Sequence, residues 1–188
     1  KVTTDGARRG AVAICLDWAN GRCTRGALCR ARHALPDRAD ENRLIHSADG
    51  VTQDIFGRPR AAPSEGAPVA LFDPLACCTL HVLSGVPPGD QHARRRYLDE
   101  GFGEWGEVVK TWFVADPGAA FVKFKWRCSA QLVLEALHGR PLRPEDSEPL
   151  RLAWCTIDPS IVQAREAREM AYSAMREARE RGRATQEL

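Results

Sequence analysis

The chain has 188 residues, 44% of them hydrophobic, and a formal net charge of +2, enough for one medium domain or two small ones. No run approaches the length of a membrane span. The N-terminal KVTTDGARRGAVAIC lacks an apolar stretch followed by a small-residue cleavage site, so no signal peptide is expected. The charge is uneven: residues 1–36 carry Lys1, Arg8, Arg9, Arg22, Arg25, Arg30 and Arg32 against only Asp5 and Asp17, a local +5. A basic region confined to one module points to an acidic partner, nucleic acid foremost. Seven cysteines, of which only three cluster, exclude a secreted disulfide framework and fit a reducing compartment with one cysteine-based site.

The cluster is Cys15-x7-Cys23-x5-Cys29-x3-His33. Three thiolates and an imidazole form a complete tetrahedral set for one structural Zn2+, with no position left for a catalytic water. The x3 spacing predicts Cys29 and His33 one helical turn apart on one face. Asn20-Gly21 and Gly26 let the short chain reverse around the ion. So small and arginine-rich a stretch cannot bury an adequate core, and metal binding is expected to supply much of its folding free energy. Cys128 and Cys155 read as small buried apolar side chains.

After His33 the sequence reads as a polar stretch through DRADEN, then DIFGR (Asp54 to Arg58), in which Ile and Phe interrupt polar surroundings. Residues 61–68 are poor in apolar bulk and suggest a linker. From Thr79 the elements run in a different rhythm: a strand in TLHVLSGV, a helix from Gln91 to about Phe102, a strand in GEVVKTWFV and a turn at Asp116-Pro117-Gly118. A strand in AAFVKFKW, a helix from about Ser129 to His138 and a strand in LRLAWCT complete the order. This is βαββαβ, an α+β arrangement with two helices on one face of an antiparallel sheet and the other face open. Alternation sends Leu80, Val82, Ala120, Val122, Phe124 and Trp126 inward. His81, Ala119, Phe121, Lys123 and Lys125 point outward, with Trp112 outward unless a bulge reverses it. Leu132, Leu134 and Leu137 are expected to cover the sheet. Asp158-Pro159 caps a final helix, rich in Ala, Glu, Arg and Met, that reads as solvated.

The finger spacing resembles the CCCH zinc fingers, and LHVLSG with GAAFVKF resembles the two signature strands of the RNA recognition motif. Together with DIFGR, FVKFKW and LRLAWCTIDPS, these segments resemble the pre-mRNA-splicing factor Cwc-two family, which includes RNA-binding motif protein twenty-two. The resemblance implies a ring-like Torus unit with its zinc (residues 1–66), a connector (67–76), an RNA recognition motif (77–157) and a charged C-terminal helix (158–188). It also implies that Ile55 and Phe56 pack inside the Torus unit. The function implied is that of a non-enzymatic nuclear factor of the spliceosome's nineteen-type complex, a monomer within that assembly and away from membranes. It would contact U-six small nuclear RNA and the intron near the 5′ splice site, helping hold the catalytic RNA in its active shape. The residues expected to meet RNA are Arg22, Arg25, Arg30, Arg32 and Arg58 on the zinc unit and His81, Phe121, Lys123 and Lys125 on the sheet. The alternative is a protein-binding module of the U-two auxiliary factor small-subunit type. That type requires an Arg-x-Phe where this chain has Arg140-Pro141-Leu142, and an acidic first helix where this chain has Arg94-Arg95-Arg96.

Overall fold

The computed structural model describes residues 3–45, 53–59, 77–113 and 120–155. The connector 67–76, the turn at 116–118, Ala119 and the C-terminal helix lie outside the described residues. Residues Lys1–Cys155 form one compact unit.

The strands are β1 (Thr79–Ser84), β2 (Val108–Phe113), β3 (Ala120–Phe124) and β4 (Arg151–Trp154). They form one antiparallel sheet in the order β2-β3-β1-β4. Alternation works as the sequence predicts: Leu80, Val82, Ala120 and Val122 are fully buried and Phe124 nearly so. They meet Leu98 and Phe102 of α4 (Gln91–Gly103) and Ala130, Val133 and Leu137 of α5 (Arg127–Leu137) in one core. Asp90 starts α4, its Oδ1 accepting from the Ala93 N–H at 2.8 Å. A bulge between Val108 and Lys110 kinks β2, but beyond it Trp112 still pairs with Phe121 and lies on the outward row.

Two expectations about the second helix change. It begins at Arg127, with Trp126 as its N-cap residue, so Trp126 does not point into the sheet core. Its ring packs instead in a second cluster, with Ile14, Ala19, Leu44, Ile55, Cys128 and Leu132. Leu132 therefore covers the N-terminal unit and not the sheet. Residues 128, 132 and 135 share one face of α5 at helical spacing, and the opposite face carries Ala130, Val133 and Leu137. A helix that is apolar on two sides is buried on two sides.

The N-terminal unit holds three short helices, α1 (Asp5–Arg8), α2 (Leu16–Ala19) and α3 (Arg38–Ile45), and a 3-10 turn at Gly26–Leu28. The first of these is capped by buried Thr4, whose Oγ1 also donates to the Ala31 carbonyl at 2.8 Å. It docks through Gly6, where a Cβ would collide with the Arg30 carbonyl. The helix α3 forms in the stretch read as merely polar. The Asp37 carboxylate accepts from the Ala39 and Asp40 N–H groups, and the Asp40 carboxylate accepts from the Asp37 N–H, a reciprocal cap. Buried Glu41 then reaches across to α5 and accepts from the Arg127 and Cys128 N–H groups at 3.1 and 2.9 Å. Two donors that a helix start leaves unpaired are thus satisfied from another part of the chain.

In DIFGR, the Asp54 carboxylate accepts from the Phe56 and Arg58 N–H groups and from Arg58 Nε at 2.6 Å. Gly57, at φ +80°, supplies the left-handed turn that other residues resist. The turn drives Ile55 fully into the second cluster, where its carbonyl accepts from the Ile14 N–H at 2.8 Å. Phe56 is half-buried beside it.

Candidate metal centre and nucleic-acid interface

The ligand atoms of Cys15, Cys23, Cys29 and His33 all lie within 4.8 Å of one another. The path that brings them together differs from the sequence expectation, because residues 29–33 are not helical. Cys29 follows the 3-10 turn with extended angles, and Arg32 forms a parallel bridge with Ile14. The Cys15 N–H donates to the Arg32 carbonyl at 2.9 Å, which sets Cys15 beside His33. Short loops in this small unit favour strand-like pairing over a lone helical turn, whose nucleation is unfavourable.

The donor set fits a cation. Burial pushes the Cys15 thiol up to about 11, and the neighbouring thiols of Cys29 and Cys23 act in the same direction. The Arg25 backbone N–H holds the Cys23 thiol below the usual cysteine range. Several thiolates at this separation repel one another unless a metal ion neutralises them. His33 is stacked on Trp18, with ring centroids 5.7 Å apart, and its Nε2 is buried with no hydrogen-bond partner, as a nitrogen reserved for a metal would be. The four residues can hold one metal ion.

The basic residues separate into two groups. Arg22 and Arg30 are exposed and have no ion partner among the described residues. Arg25 is exposed and 3.6 Å from Asp17, a loose surface pair. Arg32 is held by buried Asp40, and Arg58 bridges Asp54 to Glu135 on α5 while lying over the Phe56 ring. These last two therefore tie the protein to itself.

On the outward sheet face the register places Trp112, Phe121 and His81 in one cross-strand row, in which Trp112 is buried and Phe121 and His81 are half-buried. His81 and Phe121 stack with centroids 4.4 Å apart, and burial lowers the His81 pKa. In the next row Lys110 and Lys123 stand directly opposite each other, a like-charge pairing that an anion would relieve. Lys110 Nζ lies 4.8 Å from the Trp112 ring centroid. Lys125 is exposed and pairs with Glu107 at 2.7 Å. Sequence reasoning had Trp112 outward unless a bulge reversed it, and the structure puts it on the outward row but buried; Lys110 was overlooked. The alternation of β2 was the available signal, and the bulge obscured it.

A zinc-finger-like ligand cluster packed on a βαββαβ fold with aromatic residues on its open face defines a class of nucleic-acid-binding architecture. Residues 2–58 match the Torus domain family. The chain is 30% identical over 168 residues to the pre-mRNA-splicing factor CWC2 of Yarrowia lipolytica, covering 86% of this chain and 41% of that one. It is 28% identical over 193 residues to CWC2 of Kluyveromyces lactis, covering 92% of this chain and 56% of that one. The chain carries a Torus domain and is a homologue of the Cwc2 pre-mRNA-splicing factors, of which it spans about half the length. Among solved structures, the RRM domain of S. pombe Puf1 matches at 25% identity with a TM-score of 0.34, covering 41% of this chain and 87% of that one.

Proposed function

We propose that this chain is a non-enzymatic RNA-binding splicing factor that works in the nucleus, with one structural Zn2+ bound by Cys15, Cys23, Cys29 and His33. The observation that carries the RNA reading is the stacked pair His81–Phe121 on the outward sheet face, beside the facing lysines Lys110 and Lys123. Ring faces take unpaired bases by stacking, and the two ammonium groups meet the phosphates. The homologues named pre-mRNA-splicing factor support the splicing assignment. Bound Zn2+ would neutralise the thiolates and pin the loops that display Arg22, Arg25 and Arg30. Lys125 extends the basic edge, and Arg32 and Arg58 keep the unit in shape behind it. Within this reading the RNA is U-six small nuclear RNA with the intron near the 5′ splice site, and the assembly is the nineteen-type complex. The working division of the chain remains 1–66, 67–76, 77–157 and 158–188.

Residue-level RNA crosslinking in nuclear extract tests the proposal. Crosslinked peptides containing Arg22 to Arg30 and Phe121, on one small nuclear RNA, are expected. RNA crosslinks absent from both modules would overturn it.

A further inference from the structure

Trp18 meets two of the four residues that can hold the ion. Its indole is stacked on the His33 ring, with centroids 5.7 Å apart and planes inclined by 11°. Its backbone N–H hydrogen-bonds the Cys15 sulfur. It reaches both from α2, the single turn that follows Cys15. That turn is held at both ends: the Ala19 N–H donates to the Cys15 carbonyl at 3.0 Å, and the Gly21 N–H donates to the Trp18 carbonyl at 2.8 Å. The Arg140 guanidinium, beyond α5, donates to the adjoining Asn20 carbonyl at 2.6 Å. The indole also packs against the cluster of Ile14, Ala19, Leu44, Ile55, Cys128 and Leu132, which keeps it in place against His33.

The terminal torsion of a histidine side chain is broad, so its surroundings decide where its nitrogens point. Most metal-bound histidines are oriented by a hydrogen bond from the second ring nitrogen to a carboxylate or a carbonyl. Among the described residues His33 has no such bond from either ring nitrogen, and its Nε2 is buried. What lies against the ring is the indole face. We propose that Trp18 is a positioning residue of the metal centre, its stacked face holding the imidazole so that Nε2 is presented to the ion. The inference rests on the zinc reading above and adds a residue outside the four ligands. A plain core role would need only apolar volume at position 18, whereas orienting a ring needs a flat face parallel to it.

The test uses the full chain with Zn2+, and with Co2+ as a spectroscopic probe, in the variants Trp18→Leu, Trp18→Phe and Ile55→Ala. The last loosens the same cluster from a buried position outside the ring stack. Competition with a chromophoric chelator gives the Zn2+ affinity, the Co2+ absorption bands report the ligand field, and 15N NMR reports the His33 ring. Trp18→Leu is expected to weaken Zn2+ binding about 10–100-fold, to alter the Co2+ bands and to broaden the His33 ring signals. Trp18→Phe, which keeps a flat face, should restore the bands and the ring signals. Ile55→Ala should weaken Zn2+ binding through lost stability alone, with bands and ring signals of the loaded chain as in the parent. If Trp18→Leu shows the parent bands and ring signals, the indole only fills space and the proposal is overturned. The parent chain decides even if Trp18→Leu does not fold: its Zn2+-loaded form should carry the metal on His33 Nε2, and ligation through Nδ1 would overturn the proposal. If the parent chain takes up neither ion, the zinc reading fails and this inference with it.

Discussion

The Glu41 carboxylate accepts from two N–H groups 86 and 87 residues away. A capping side chain normally sits next to its helix, and the sequence around Trp126 supplies none, which is why the α5 start reads two residues late, near Ser129. No local pattern announces a cap from another module. Removing this carboxylate leaves two buried donors unpaired, so Glu41→Ala should lower unfolding free energy by about 2 kcal/mol. Urea denaturation checks this, and a loss below about 0.5 kcal/mol would show that the cap is dispensable. His81 gives a second expectation at this scale. Its folded pKa is lowered by burial, so as pH falls the unfolded chain takes up the proton first. The associated stability is complete above the ordinary histidine value of about 6.5 and declines below it. The His81 ring protons, followed by NMR, should titrate with a midpoint under about 6.5, and a higher midpoint would contradict the lowering.

Helix α5 is the element that joins the two halves. Its sheet-facing side was legible from periodicity, as were the strands, because alternation of Leu80, Val82, Val122 and Phe124 follows directly from the pleat. Its second apolar side was not, since Leu132 fits equally well on any face of a helix whose partners are unknown. DIFGR was legible as an anomaly: a buried Ile and a half-buried Phe inside a polar run needed a place to go. The structure shows that place to be the Cys128–Leu132 side of α5, clamped by Arg58 to Glu135. The Cys15, Cys23, Cys29 and His33 cluster was legible from residue type and spacing, while the extended path between Cys29 and His33 depends on pairing with Ile14. Leu132→Ala should cost about 2–5 kcal/mol, the range for emptying a buried leucine site. Val109→Ala, at an exposed position on β2, should be within about 0.5 kcal/mol of the parent chain. Equal effects from both changes in a urea titration would show that the second cluster contributes nothing.

A metal ion held in the N-terminal unit would reach the rest of the molecule through this shared cluster. Cys128 is fully buried, and burial together with the Glu41 carboxylate raises its thiol pKa, so the folded chain keeps it unreactive. Its cover consists of residues from the N-terminal unit, Ile14, Ala19, Leu44 and Ile55 among them. A unit that depends on its ion for folding would lose that cover with the ion. Chelation at neutral pH should therefore expose Cys128 to alkylation along with Cys15, Cys23 and Cys29, as mapped by peptide mass spectrometry. Restoring Zn2+ should protect all four. Labelling confined to the three ligand cysteines would mean that the cluster survives without the metal and that the two modules are stabilised independently. Coupled labelling would mean that the RNA contacts proposed for the N-terminal unit and for the sheet are held in one frame, which the ion maintains.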